Sequence, residues 1–419
     1  MRVVIAGQGY VGLPLAVRAA EVGHQVVGYD VDTVRIGRLQ RGESYVEDIA
    51  AARLQAVTAD GSYRPSTDPS DCADYDVAVI TVPTPLRDGV PDLTYVEAST
   101  ALLARHLRPG AVVVLESTTY PGTTQEVVQP ILEKESGLRA GIDFWLGFSP
   151  ERIDPGNPTW NVINTPKIVS GVDETSLKKV KEFYDTIVEN TVTVASPREA
   201  ELAKLIENTF RHVNIALVNE IAMISNDLDI DVWQAIDAAS SKPFGFMRFT
   251  PGPGVGGHCL PIDPSYLSWR VQRALGQSFR FVDLANDINN HMPDYVVRRL
   301  ISALNKRQRS VSGSRILLLG LAYKKNTGDA RESPAVRVVQ LLREMGAEVR
   351  VADPHVVEAV HGAADLTMVP ADAAELRAAD AVVLLADHDV FDYELIASES
   401  RYVLDTRRRL PAGDLVEVI

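Results

Sequence analysis

Few segments restrict a fold as tightly as Gly7-Gln8-Gly9-Tyr10-Val11-Gly12 does in this chain. Arg2 to Ala6, ahead of it, reads as a short buried strand, and the residues behind it form a helix running toward Glu21. Gly23 ends that helix, and Gln25 to Tyr29 makes a second strand that closes on Asp30. A chain that turns from strand to helix on a GxGxxG run and returns as a strand is building a βαβ unit. The glycines let a pyrophosphate meet the helix N-terminus, and an acidic residue 18 positions after Gly12 accepts from the adenosine ribose hydroxyls. The reading is a dinucleotide cradle, with a strand–turn–helix–strand context that a lone GxGxxG lacks. Asp30 favours NAD over NADP, because a carboxylate repels a 2′-phosphate. Arg35 complicates that choice slightly, or lies along the adenine.

Further strands are expected at Val77 to Val82 and Ala111 to Glu116, each leading into a polar or proline-rich loop. Those loops carry Thr84 and Thr118, and ligands of open α/β sheets sit beyond the carboxyl ends of strands, so both should border the cofactor. Thr118 reads equally well as the cap of the next helix. Glu151, in Phe148-Ser149-Pro150-Glu151-Arg152, faces the same cleft or is a surface glutamate. From Pro197 to Asp227 an apolar face recurs at helical spacing, a length suited to bridging two lobes or lining a subunit interface. Lys204 and Asn208 share one face of it and together could bind a developing oxyanion. A hydrophilic stretch from Gln308 to Ser314 precedes a second alternation of strands and helices, which ends near Arg407-Arg408-Arg409. This second sheet has no GxGxxG, while its Lys324-to-Arg331 loop and Arg407 suit a phosphate or diphosphate. The expected fold is α/β: two Rossmann-like doubly wound parallel sheets joined by a central helical domain with a long connecting helix. The domains are 1–196, 197–305 and 313–419.

A second organising segment is Gly252-Pro253-Gly254-Val255-Gly256-Gly257-His258-Cys259-Leu260-Pro261-Ile262-Asp263. Glycines admit tight turns and close approach to a bound molecule. A helix beginning near Pro261 would hold Cys259 at its N-terminal end, where the dipole favours a thiolate. A buried structural cysteine is the plainer reading, and glycine density with Asp263 four residues on weighs for a nucleophile. The only other cysteine is Cys72, so no disulfide framework exists and a reducing, cytoplasmic setting fits. No apolar run reaches the length of a membrane span, and a net charge of −14 speaks against general nucleic-acid affinity. No cluster of metal-ligating residues stands out.

Taken together and in order, GQGYVG, SPER, KLIENTFR, GPGVGGHCLPIDP, YKKNTGDARES and the terminal LDTRR closely resemble the UDP-glucose/GDP-mannose dehydrogenase superfamily, over essentially the whole chain. The resemblance implies an NAD-dependent four-electron oxidation of a nucleotide-sugar CH2OH to a carboxylate. It makes Gly7, Gly9, Gly12, Asp30 and Arg35 the NAD contacts, with Thr84, Thr118 and Arg331 near the cofactor. Cys259 becomes the nucleophile that forms a thiohemiacetal and then a thioester. Lys204 and Asn208 stabilise the oxyanion, Asp263 and Thr118 position water or pass protons, and Glu151 serves thioester hydrolysis. Lys324 and Arg407 bind the UDP portion, and Gly256, Glu151, Lys204 and Asn208 contact the substrate. Ile262 departs from the lysine usual in the UDP-glucose branch. The lead-in Ser241-Lys242-Pro243-Phe244-Gly245-Phe246 resembles the UDP-N-acetylhexosamine branch instead. UDP-N-acetylglucosamine is therefore the expected substrate, with UDP-N-acetylmannosamine, UDP-N-acetylgalactosamine and UDP-glucose as alternatives. A homodimer or higher homo-oligomer, seamed along the helix from Lys204 to Asp227, is also implied. Two other classes stay open: a two-electron hydroxyacid dehydrogenase, which needs neither the Cys259 loop nor the second sheet, and a non-catalytic NAD-binding regulator.

Overall fold

The computed structural model describes residues 1–46, 48–87, 89–154, 157, 159–257, 260–356 and 366–419. The chain divides into two compact units, Met1–Glu207 with Trp269–Gly276, and Asn208–Ser268 with Gln277–Ile419.

The first unit is built on an eight-stranded sheet. In chain order its strands are β1 (Arg2–Ala6), β2 (Gln25–Tyr29), β3 (Tyr63–Ser66), β4 (Val77–Ile80), β7 (Val112–Leu115), β8 (Trp145–Phe148), β9 (Lys167–Gly171) and β10 (Thr191–Thr193), a two-stranded ribbon of β5 (Leu86–Arg87) and β6 (Val90–Pro91) lying between β4 and β7. The spatial order is β10-β9-β8-β7-β4-β1-β2-β3. Val3, Ile5, Val79 and Val114 enter one apolar cluster, and Val4, Ala6, Ile80 and Val113 enter another. Side chains alternate across a strand, so the near-continuous Val/Ile runs mean that both faces are covered. Within the eight-stranded sheet every ladder is parallel except β8–β9, where Gly147 pairs with Gly171 and Phe148 with Ser170. Ser170 Oγ donates to Phe148 O at 2.7 Å and Ser149 Oγ to Ile168 O at 2.7 Å, pinning that reversed register.

The second unit repeats the plan with six parallel strands, β11 (Arg315–Leu319), β12 (Glu348–Ala352), β13 (Thr367–Met368), β14 (Ala381–Leu384), β15 (Val403–Asp405) and β16 (Val416–Val418), ordered β13-β12-β11-β14-β15-β16. Its apolar residues again segregate onto two faces, Ile316 and Leu318 on one and Leu317 and Leu319 on the other. The expected helix runs over Pro197–Asp227, with its latter part in this unit beside Val232–Ser240 and Arg280–Lys306. No helix among the described residues is long and apolar enough to cross a membrane.

Candidate active site

In the first unit, the turn from β1 into the helix Gly12–Glu21 is shaped by its glycines in three different ways. Gly7 has φ +96°, which side chains rarely tolerate, and its N–H donates to Tyr29 O at 2.8 Å. A Cβ on Gly12 would stand 1.9 Å from Gly7 O and 2.4 Å from Thr81 Oγ1, so only glycine lets helix and strand meet. A Cβ on Gly9 would meet nothing within 4 Å. No protein atom demands glycine there, which suits a position where a ligand comes close.

Asp30, buried at the tip of β2, accepts from Gln8 N at 2.8 Å and Asp32 N at 3.0 Å. Its Oδ2 also accepts from Arg35 Nη1 at 2.8 Å, and Arg35 lies 5.9 Å from the Tyr45 ring. Arg35 therefore balances the carboxylate from one side, a use the sequence alone did not disclose. A helix N-terminus with its N–H donors and an accepting carboxylate flank Gly9, the combination a dinucleotide's pyrophosphate and ribose need.

The loops after β4 and β7 meet, Thr84 Oγ1 donating to the carbonyl of Thr118 at 2.8 Å. Thr118 does not cap the following helix, because the helical turn Thr124–Val128 begins six residues later. That helix end is held by Glu201, whose carboxylate accepts from Gly122 N at 2.5 Å, Thr124 N at 2.9 Å and Thr124 Oγ1 at 2.7 Å. Burial lifts the Glu201 pKa to about 7 against those three bonds.

Glu151 is not a surface glutamate. Continuing the antiparallel β8–β9 register three residues past Phe148 sets Glu151 opposite Lys167. Lys167 Nζ donates to Glu151 Oε2 at 3.2 Å and, more closely, to Glu116 Oε1 at the end of β7. Tyr184 OH donates to the other Glu116 oxygen at 2.8 Å. Glu151 Oε1 accepts from Arg152 N and Ile153 N, both at 2.6 Å. Burial pushes the Glu151 carboxyl up, but Lys167, these two N–H groups and Lys204 outweigh it, and its pKa falls below the ordinary value. Burial dominates at Glu116, raised to about 7 despite Lys167. Lys204 is itself buried on the long helix. Neither Glu116 nor Lys167 was singled out by sequence: they stand 51 residues apart, and only the reversed β9 brings them together.

In the second unit, Asn208 Nδ2 donates to Asp263 Oδ2 at 2.6 Å, both side chains being buried. Asp263 opens the helix Asp263–Leu275, close to the expected start. Cys259 and its neighbour His258 lie outside the described residues. The glycines leading to them are crowded by protein. A Cβ on Gly252 would stand 2.7 Å from Arg407 Nη1, one on Gly256 2.7 Å from Glu332 O, and one on Gly257 2.8 Å from the Tyr323 ring. The loop's close approaches are thus first of all to its own fold. Gly252 N donates to Asn219 Oδ1 at 3.0 Å, Asn219 Nδ2 to Asn289 Oδ1 at 2.9 Å, and Asn289 Nδ2 to His212 O at 3.3 Å. This buried network fastens the glycine loop to two helices, and no local pattern announces it.

Arg407 follows β15, its N–H bonded to Asp405 Oδ1 at 2.7 Å and its Nε to Leu385 O at 2.8 Å. Arg331 forms a two-pronged pair with Asp329, at 2.9 and 2.6 Å, and Lys324 lies in the same loop after β11. Asp353 ends β12 as Asp30 ends β2, after a glycine of φ +88°, Gly320. It accepts from Leu321 N, Ala322 N and His355 N, and pairs with buried His388 at 3.1 Å. Burial opposes ionisation there, yet His388 and the N–H donors hold its pKa down at about 2. Its lone pairs are spent internally, unlike a ribose acceptor. Among the described residues, no group of three or more His, Cys, Asp or Glu is arranged to hold a metal ion.

Three consecutive segments match the UDP-glucose/GDP-mannose dehydrogenase family: its NAD binding domain over residues 1–188, its central domain over 198–291 and its UDP binding domain over 317–412. The chain belongs to this family. It is 38% identical over 399 residues to the UDP-N-acetyl-D-glucosamine 6-dehydrogenase of Pseudomonas aeruginosa, covering 93% of this chain and 91% of that one. It is 35% identical over 413 residues to the UDP-N-acetyl-D-mannosamine dehydrogenase of Pyrococcus horikoshii, covering 97% and 95%. The solved structure of a UDP-D-ManNAc dehydrogenase from Pyrococcus horikoshii superposes with a TM-score of 0.90 at 34% identity, over 100% of this chain and 99% of that one. The protein is an NAD-dependent nucleotide-sugar 6-dehydrogenase of the UDP-N-acetylhexosamine type.

Proposed function

We propose that the substrate is UDP-N-acetylglucosamine, oxidised at C6 to the uronate in four electrons through Cys259. The 38% identity to a UDP-N-acetyl-D-glucosamine 6-dehydrogenase supports this hexosamine, the Ser241-to-Phe246 lead-in supports the UDP-N-acetylhexosamine branch as a whole, and the 35% identity to a UDP-N-acetyl-D-mannosamine dehydrogenase makes the manno epimer the alternative. The balance is one CH2OH, two NAD and one water giving one carboxylate, two NADH and three protons. NAD supplies the hydride acceptor at each oxidation, and Gly7, Gly9, Gly12, Asp30 and Arg35 hold it, with Thr84, Thr118 and Arg331 nearby.

The observation that carries the reaction is the buried Asn208–Asp263 bond at the head of the helix after the cysteine loop. Asp263, polarised by the amide, orders the water and takes the alcohol proton, with Thr118 as a second relay. The Cys259 thiolate adds to the aldehyde carbon, which would otherwise hydrate or escape, and retains it as a thiohemiacetal until oxidation yields the thioester. Lys204 and Asn208 stabilise the oxyanion, each such donor being worth roughly 2.7–4 kcal/mol. Glu151 receives a proton as water attacks the thioester carbonyl, the C–S bond breaks and the thiolate leaves. Lys324 and Arg407 take the diphosphate, and Gly256 lines the sugar site.

The active form is a homodimer or larger homo-oligomer. Phe210, Leu217, Ile221 and Ile224 recur on one face of the long helix at 46%, 51%, 40% and 52% exposure, beside exposed Phe281 and Leu284, an apolar patch that a second copy would cover.

NADH released per sugar consumed tests the reaction, across a panel of UDP-sugars with Cys259→Ala alongside. Two NADH per UDP-N-acetylglucosamine, lost in the variant, is expected. Two on another epimer alone would replace the substrate, and one NADH unaffected by removing the thiol would eliminate the covalent route.

A further inference from the structure

We infer that Lys167, balanced by Glu116, is a positioning residue that holds Glu151 as an oriented carboxylate for the hydrolytic half of the reaction. The inference rests on the reading of Glu151 as the thioester-hydrolysis base. Lys167 begins β9, which with β10 runs against the other six strands of its sheet, so its side chain reaches the carboxyl ends of β7 and β8. Its ammonium is buried at 5% exposure between two carboxylates, with the Tyr184 ring 5.4 Å away. A cation so placed is stable only while its partners stay ionised or hydrogen-bonded. Glu116 is anchored from behind by the Tyr184 hydroxyl at 2.8 Å, so Lys167 bridges a fixed Glu116 to Glu151.

Glu151 has one oxygen on two backbone N–H groups and the other on Lys167, so its rotamer has nowhere else to go. Among the described residues, Lys204 also acts on it, while the Arg152 guanidinium is paired with Glu207 at 2.7 Å. Removing Lys167 leaves two carboxylates sharing one enclosure, opposed only by Lys204 and those N–H donors.

The test is the pH dependence of kcat in the full-length enzyme for Lys167→Met, Glu116→Gln and Glu151→Gln, with Lys167→Met repeated in the Glu151→Gln background. Lys167→Met is expected to lower kcat about tenfold with KM within about twofold. Its acidic limb should move up by about 1–3 pH units, the size of a lost opposite-charge interaction. Glu116→Gln leaves the Lys167 charge to Glu151 alone, so its limb should stay at or below that of the parent. In the Glu151→Gln background, Lys167→Met should change nothing further. An unmoved limb, or the same loss of kcat without Glu151, would make Lys167 a structural cation and overturn the inference. Wild-type kcat in Glu151→Gln would instead remove the reading of Glu151 itself. If Lys167→Met does not fold, Glu116→Gln/Lys167→Met, which carries neither charge of the pair, must show the same upward limb.

Discussion

Replacing Gly12 and Gly9 separately by alanine distinguishes packing from ligand approach within one turn. At Gly12 the new methyl would lie 1.9 Å from Gly7 O, where ordinary contact begins at 3.4 Å, so backbone must yield by 1.5 Å. No rotamer relieves it, since the obstacle is a main-chain oxygen. Thr81 Oγ1, at 2.4 Å from the same point, would also be displaced from its bonds to Ala6 O at 3.0 Å and Gly7 O at 2.8 Å. Overpacking of this kind costs about 1–3 kcal/mol. The displaced hydroxyl adds about 1 kcal/mol. Gly12→Ala should therefore melt about 5–15 °C below the parent and bind NAD weakly because the helix N-terminus has moved. At Gly9 nothing lies within 4 Å and φ is not positive, so the fold should keep its Tm. NAD affinity should nevertheless fall at least about tenfold, or about 1.4 kcal/mol. Differential scanning calorimetry and NAD titration by calorimetry read both quantities. Wild-type NAD affinity in Gly9→Ala, or wild-type Tm in Gly12→Ala, would refute the assignment of these glycines.

Glu201, with its folded pKa raised to about 7, holds a proton that the unfolded chain has released by then. The native state binds more protons between about pH 4.5 and 7, so stability falls as pH rises through that window and levels off above it. Glu201→Gln should flatten part of this slope in Tm measured from pH 5 to 8, and an unchanged slope would remove Glu201 from the account. For the oligomer, Ile221→Asp should halve the mass seen by light scattering from at least twice 45.7 kDa. A wild-type chain already at 45.7 kDa would dismiss that helix face as a subunit seam.

Much of the molecule was legible in the chain because it is written in short-range terms. The Val/Ile runs, the glycine turn and Asp30 marked the first βαβ unit, and apolar periodicity marked Pro197–Asp227 to the residue. Strand ends lie a residue or two inside the apolar runs read from sequence, as at Val77–Ile80 within Val77–Val82 and Val112–Leu115 within Ala111–Glu116. The loops after β4 and β7 meet each other, Thr84 touching Thr118, a contact that strand order alone does not spell out. The supposed cap on Thr118 failed because Glu201, 77 residues beyond Thr124, supplies it.

By itself the sequence determined that the chain makes two doubly wound sheets, that the first carries a dinucleotide turn, and that Lys204 and Asn208 share a helix face. Local backbone preference and side-chain period are enough for that. Only the tertiary structure decided which charges work together. Arg35 folds back on Asp30, buried His388 meets Asp353 at 3.1 Å, and the glycines before Cys259 are crowded by Arg407, Glu332 and Tyr323. The direction of β9 decided most. Run parallel, that strand would place Lys167 at the opposite end of the sheet from Glu151. Because it runs antiparallel, a lysine with no sequence motif reaches two glutamates in a water-poor interior, where such a contact governs ionisation.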